Sequence, residues 1–289
     1  MKYALYTISI VTAIALQSCT PEPLDIELDT VEPKLVVSSQ VIPNQVMIVT
    51  LSKSFSALAF SEEEEGDSVP TDLLNQILVS NATVTITYLG ITDTLYGIPT
   101  VPGLYVSLQT PQFDHVEYTL EAFDPATGMS ISSTASMLPF VGFDTVSTSS
   151  GTTSNLDWVD VHYEFTDPPN EDNWYMVNYY LQTNDSLQVG SPFTSGNEIP
   201  TVTQLLSDQF FENSVYSDTY RLYDLDSDTI LVSVSNISKE YFDFLTLRER
   251  STNFFTDLSK EPLNYPTNID GGYGFFTTHH PDIEVEIID

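Results

Sequence analysis

A mainly β fold is predicted: an immunoglobulin-like β-sandwich over 34–139, then a second β-rich domain over 140–289 that carries one helix near 238–257. Three observations predict it. β-Branched and aromatic residues recur in short runs, several of them alternating with period two, as in Ala82 to Leu89 with Val84, Ile86 and Tyr88 on one face and Thr83, Thr85 and Thr87 on the other. Turn-forming residues punctuate the runs, most clearly at Asp124-Pro125-Ala126-Thr127-Gly128. A helical period appears once, after Ser238, where Tyr241, Phe242, Leu245 and Phe255 recur at turn spacing.

The chain opens outside that fold. Lys2, an apolar run from Tyr3 to Leu16 and Leu16-Gln17-Ser18 precede Cys19, the only cysteine of the 289 residues. A basic start, a short apolar stretch and a small residue before a cysteine have the layout of a lipoprotein signal, and the stretch is too short and wrongly flanked for a lasting span. Residues 1–18 are expected to be removed. Cys19 is then the lipidation site, since two or more acyl chains anchor stably where one does not. An acylated Cys19 leaves no thiol, which excludes disulfides, zinc-thiolate sites and cysteine nucleophiles. Residues 19–33, rich in Pro and acid, form a tether.

Lys34 to Ile42 and Gln45 to Lys53 are expected as strands joined by a hairpin at Pro43-Asn44. Ala82 to Leu89, Gly103 to Leu108, His115 to Phe123 and Met129 to Met137 follow, and strands at this spacing predict the sandwich ending near Pro139. The disulfide and tryptophan marks of antibody domains are absent. The Ser147 to Ser154 cluster is expected as an early loop of the second domain. Trp158 to Phe165, Trp174 to Gln182, Thr219 to Tyr223, Thr229 to Ile237 and Ile283 to Ile287 are its strands, and Ser238 is the expected helix cap.

Charge narrows the function classes. The formal net charge is −33, and loss of Lys2 with the first segment makes it −34. Nucleic-acid binding needs clustered Lys and Arg, so it is excluded, as is electrostatic adhesion to anionic lipid. Abundant Tyr, Phe, Val, Ile and Thr give the chain enough apolar surface to fold.

Pro23-Leu24-Asp25-Ile26 after the cysteine, Lys34-Leu35-Val36-Val37, Leu206-Ser207-Asp208-Gln209-Phe210-Phe211, Ser238-Lys239-Glu240-Tyr241 and Asn268-Ile269-Asp270-Gly271-Gly272-Tyr273-Gly274-Phe275-Phe276 recur together in a family. In these segments the chain resembles a Bacteroidota-type outer-membrane lipoprotein family known only as a domain of unknown function. The resemblance covers nearly the whole mature chain, and the Asn-Ile-x-Gly-Gly-x-Gly-x-Phe run is its most specific element. Family members are commonly encoded beside TonB-dependent receptors. The resemblance therefore implies a lipid-anchored outer-membrane accessory protein facing the cell exterior, with such a receptor as partner; it brings no catalytic residues. Acids after Cys19 resemble tethers that direct such lipoproteins to the surface.

The glycines of Gly271-Gly272-Tyr273-Gly274 permit backbone conformations and close approaches that side chains forbid. They fit a tight bend and bulge packed against the helix, or a rim loop with Tyr273, Phe275 and Phe276 as partner-binding contacts. No helix follows, so no phosphate loop is implied. Asp224, Asp226 and Asp228 alternate like the start of a calcium loop, but Thr229 stands where glycine is needed and Ser235 where the closing Glu belongs. A solvated hairpin turn fits better. Glu62 to Glu65 fits a self-repelling loop.

His279 and His280 would point to opposite faces of a strand, and neither His115 nor His162 has a reason to join them. No metal site, cofactor or catalytic set is expected. Besides the receptor partner, two other classes are open: a stand-alone surface glycan- or peptide-binding module, supported by the tryptophan and tyrosine supply, and an extracellular hydrolase whose site one sequence does not show.

Overall fold

A computed structural model describes residues 32–42, 46–54, 77–108, 113–153, 156–182, 202–223, 229–251 and 265–288. Cys19, Pro43-Asn44, Glu62 to Glu65, the Asp224, Asp226 and Asp228 turn and Phe255 lie outside them. The fold is mainly β, with four sheets and, among the described residues, the helix Lys239–Ser251 (α1) after Ser238.

Strands β1 (Leu35–Val41) and β2 (Met47–Lys53) pair antiparallel, and each buries alternate residues on the same face, Leu35, Val37 and Val41 beside Met47, Val49 and Leu51 in one core. Facing them is a second sheet of β3 (Thr83–Tyr88), β4 (Ile91–Thr94), β7 (Glu117–Asp124) and β8 (Met129–Ser136), in the order β4-β3-β7-β8. It contributes Val84, Ile86, Leu120 and Ile131 to the core. Each such aliphatic side chain, fully buried, contributes roughly 1.5–3 kcal/mol. The β7–β8 turn closes as its sequence dictates: the Asp124 carboxylate accepts from Ala126 N–H at 3.0 Å and Thr127 Oγ1 at 2.7 Å, and Gly128 takes φ +76°. The two layers are consistent with the immunoglobulin-like sandwich expected.

The first sheet is completed from elsewhere. β6 (Leu104–Ser107) and β5 (Tyr96–Gly97) extend one side, and β15 (Tyr273–Thr278) lies parallel to β1 on the other, Val36 opposite Tyr273 and Val41 opposite Thr278. The sandwich expected over 34–139 thus takes an edge strand from the end of the chain, and Pro33 to Asp289 form one compact unit. Ile269 and Phe276, from well beyond the boundary expected near Pro139, lie in the first core.

The second core lies between a three-stranded sheet, β13 (Val215–Tyr223), β10 (Leu156–Thr166) and β9 (Phe143–Thr153), and a four-stranded one, β12 (Val202–Ser207), β11 (Trp174–Gln182), β14 (Thr229–Ile237) and β16 (Asp282–Ile287). Val159, Val161, Tyr163 and Phe165 meet Tyr175, Val177, Tyr179, Ile230, Val232 and Val234 there. Buried phenols need partners: Tyr163 and Tyr179 both donate to Gln204 Oε1, at 3.1 and 2.6 Å. Burial pushes both phenols well above their ordinary range.

One expectation is corrected here. Ser147 to Thr153, expected as loop, belongs to β9 and pairs with β10. A Cβ on Gly151 would sit 2.6 Å from Trp158 Cζ2, so the glycine makes room for the indole on the neighbouring strand. The helix keeps its expected cap, Tyr241 N–H donating to Ser238 Oγ at 3.2 Å, and packs Tyr241 and Leu245 against Met176, Ile237 and Phe275.

Candidate functional site

The glycine run is built from its asparagine upward. Asn268 uses its side chain as a strand would use its backbone: Nδ2 donates to Phe276 O at 2.6 Å and Oδ1 accepts from Phe276 N–H at 3.0 Å. Its own carbonyl accepts from Ser133 Oγ at 2.7 Å. Ile269 enters the first core, and Asp270 pairs its backbone with Ser132 in both directions, at 2.8 and 3.2 Å. The chain then threads between β8 and β1. A Cβ on Gly271 (φ +80°) would lie 2.7 Å from Ser130 O, and one on Gly272 2.5 Å from Leu35 O. On Gly274 (φ +104°) it would lie 1.8 Å from Val37 O. All three positions require glycine for close backbone approach.

This geometry decides the three expected partner contacts. Phe276 is 0% exposed in the first core, and Phe275 is 6% exposed, its ring 5.3 Å from Tyr241 and 5.0 Å from Phe244. Both are core residues, a correction to the docking role expected of them: parallel pairing with β1 turns one ring into the sandwich and the other under α1. Tyr273 does face solvent, at 40% exposed, with Lys34 Nζ 5.0 Å from its ring centroid. The run is a clasp that holds β15 against β1, the first strand among the described residues.

The clasp forms one wall of an open groove of ≈ 560 Å³ on the outer face of the β4-β3-β7-β8 sheet. Pairing puts Thr83, Phe123 and Ser130 in one row across the strands, and Thr85, Glu121 and Ser132 in the next, which ends at Asp270. Phe123 is 46% exposed at its centre. Sequence reasoning did not single out Phe123, Glu121 or Asp270; the one available signal was an aromatic ring on the polar face of an alternating strand. A second groove of ≈ 500 Å³ lies between β12 and α1, lined by Leu205, Tyr220, Phe242 and Glu249 among others.

A polar junction joins the two cores. His279 follows β15 and is buried, its Nε2 3.0 Å from Gln40 Oε1 and its Nδ1 3.0 Å from Ser235 Oγ. Gln40 Nε2 donates to Tyr241 OH at 3.0 Å, which leaves Gln40 Oε1 as acceptor. The imidazole therefore carries its proton on Nε2 and accepts from the Ser235 hydroxyl at Nδ1. Burial holds its pKa down to about 4, with nearby His280 acting in the same direction. Ser235 is 0% exposed, so this Ser–His contact is closed to any substrate. His280 lies apart, its ring 4.7 Å from that of Phe140, while His115 occupies a turn at φ +57° and His162 stands 3.1 Å from Thr219 Oγ1. Among the described residues no group of three His, Cys, Asp or Glu side chains is placed to hold a metal ion.

Two further polar clusters hold loops in place. Asp167 is buried and accepts from Tyr175 OH and from Asn213 N–H at 2.8 Å. Asp208 accepts from Asn173 N–H at 2.6 Å, and burial raises its pKa, with Asp167, Asp172 and Glu212 adding to the rise. On the outer face of β10, Arg221 grips Asp160 with two hydrogen bonds of 2.5 and 2.6 Å and lies 4.1 Å from the Trp158 ring centroid. These hydrogen bonds lower the Asp160 pKa. Trp158 is thus flanked by Gly151 and Arg221, a cross-strand ladder rather than a free platform.

No curated protein matches the chain. A family profile described as Domain of unknown function (DUF4249) matches residues 21–282, which span both cores and the clasp, and the chain belongs to that family.

Proposed function

We propose that this protein is a noncatalytic accessory lipoprotein of the outer membrane, anchored through Cys19, facing the cell exterior and working with a TonB-dependent receptor in ligand capture or uptake. The observation that carries the proposal is the order along the chain. Cys19 stands just ahead of the family match, which begins at residue 21, and the compact unit begins at Pro33. An acyl anchor there leaves the acidic segment as a tether and the folded unit free to meet a neighbour in the membrane plane. Among the described residues no helix is long and apolar enough to cross a membrane. The receptor partner follows from the company that members of the resembling family keep.

The test is a pull-down of tagged full-length protein from detergent-solubilised membranes, beside Cys19→Ala. Wild type is expected in the membrane fraction with a barrel receptor bound; the variant is expected to be released or to persist as uncleaved precursor. A processed Cys19→Ala protein still held in the membrane overturns the anchor. Wild type that purifies alone after cross-linking overturns the partnership. A second reading, a stand-alone surface glycan- or peptide-binding module, is favoured by the open groove at Phe123.

A further inference from the structure

We infer that the groove between Phe123 and the clasp is a binding site for a neutral saccharide. This deepens the second reading above and is independent of any receptor.

The lining selects the ligand class. Thr83, Thr85, Ser130 and Ser132 present hydroxyls on neighbouring strands, with Glu121 and Asp270 among them and Phe123 exposed at the centre. Among the described residues no Lys, Arg or His lines the groove, and the chain's charge is −33, so phosphates, sulfates and uronates are repelled. A wholly apolar ligand would bury the hydroxyls and carboxylates without partners, at a cost of roughly 1–3 kcal/mol for each unpaired group. A pyranose meets both demands. Its C–H face lies on an aromatic ring, and its neighbouring hydroxyls donate to carboxylate oxygens, which only accept, while the Ser and Thr hydroxyls donate or accept as required.

The site is also held in place before any ligand arrives. Asp270 is fixed by its two backbone hydrogen bonds to Ser132 and by Gly271, whose close approach to Ser130 O leaves no room for a side chain. Glu121 and Phe123 stand on β7, paired on both sides by β3 and β8. A preorganised site loses little freedom on binding. The clasp therefore has two consequences: it closes the fold, and it aims Asp270 along the row that holds Glu121.

The experiment is affinity electrophoresis of the full mature chain in detergent, without receptor, through gels containing β-glucan, xylan, galactomannan or amylopectin, with alginate as the anionic control. At least one neutral polymer is expected to retard the protein, alginate is not, and retardation is expected to be the same in roughly 50 mM and roughly 500 mM NaCl. Phe123→Ala should abolish the shift, and Glu121→Gln and Asp270→Asn should each weaken it at least about tenfold, with cooperative melting retained because all three side chains are exposed. Four results overturn the inference: no neutral polymer retards wild type, Phe123→Ala runs as wild type does, alginate alone retards the protein, or retardation vanishes at the higher salt as it would for a cation site.

Discussion

The junction at His279 makes the protein's stability fall in mild acid by an amount that follows from its burial. Above an ordinary value of 6.5 the imidazole is neutral in the folded and the unfolded chain and adds no pH dependence. Below it the unfolded chain takes up a proton that the folded chain refuses until about 4. The unfolded state therefore binds more protons across that window, and stability drops as pH falls through it and levels off beneath. The gap amounts to roughly 3 kcal/mol by the acid end, a large share of the roughly 5–15 kcal/mol of a typical domain. His279→Gln supplies the control: its amide can meet Gln40 or Ser235 but does not titrate. Urea unfolding from about pH 7.5 to about pH 4 should show wild type ahead by roughly 1–2 kcal/mol at the neutral end, for the lost hydrogen bond and packing, and the difference reversing in acid until wild type falls roughly 1–2 kcal/mol behind. Asp208, with its raised pKa, gains stability as pH falls, and Asp160, with its lowered one, loses it; both act alike in the two proteins and cancel in the difference. A constant difference over the whole range would refute a buried neutral imidazole. Nitrogen NMR of wild type should find the proton on Nε2, and a protonated Nδ1 would refute the assigned network.

Two other perturbations probe the clasp by urea unfolding. Phe276→Ala should cost roughly 3–5 kcal/mol and Tyr273→Ala no more than about 1, because the first ring is core and the second faces solvent; equal losses would show that the ring orientations are wrong. Gly90→Ala and Gly274→Ala both place a side chain at positive φ, but nothing lies within 4 Å of the first Cβ whereas the second meets Val37 O at 1.8 Å. The first should cost about 1 kcal/mol and the second at least about 3, and a mild Gly274→Ala would mean that β15 does not lie against β1 as described.

Legibility along the chain follows burial of one face. Thr229–Ile237 is a strand over the range its residues indicate, because Ile230, Val232 and Val234 put one apolar face in the second core, and Thr83–Tyr88 loses one residue at each end, with Val84, Ile86 and Tyr88 buried on one face. β9 was illegible for the opposite reason. Its positions facing Val161 and Val159 are Thr148 and Ser150, so no apolar period marks it, and the need for Gly151 arises from an indole on another strand. The 3-10 turn Asp208–Phe210 shows the same limit: Asp208 is buried because Asn173 meets it from a distant turn. Parallel pairing of β15 with β1 joins the two ends of the described chain, and no local pattern specifies it.

The glycine run was legible as a special backbone but ambiguous in purpose, since a docking loop and a threaded strand both need positions without side chains. What separates them is the identity of the atoms that a Cβ would strike, and those are carbonyls of Leu35, Val37 and Ser130 rather than open space. The fixed letters of the run are then all explained by the fold: Asn268 clamps Phe276, Ile269 and Phe276 fill the core, and the three glycines permit the threading. Likeness in those letters therefore carries architecture and says nothing about a ligand. Of the three free positions, Phe275 points under the helix, while Asp270 and Tyr273 point outward. At such outward positions, and on the sheet face beside them, a substitution leaves the clasp intact. Exchanging Asp270 together with Glu121 and Phe123 should accordingly change what the protein binds while leaving its unfolding free energy within about 1 kcal/mol of wild type.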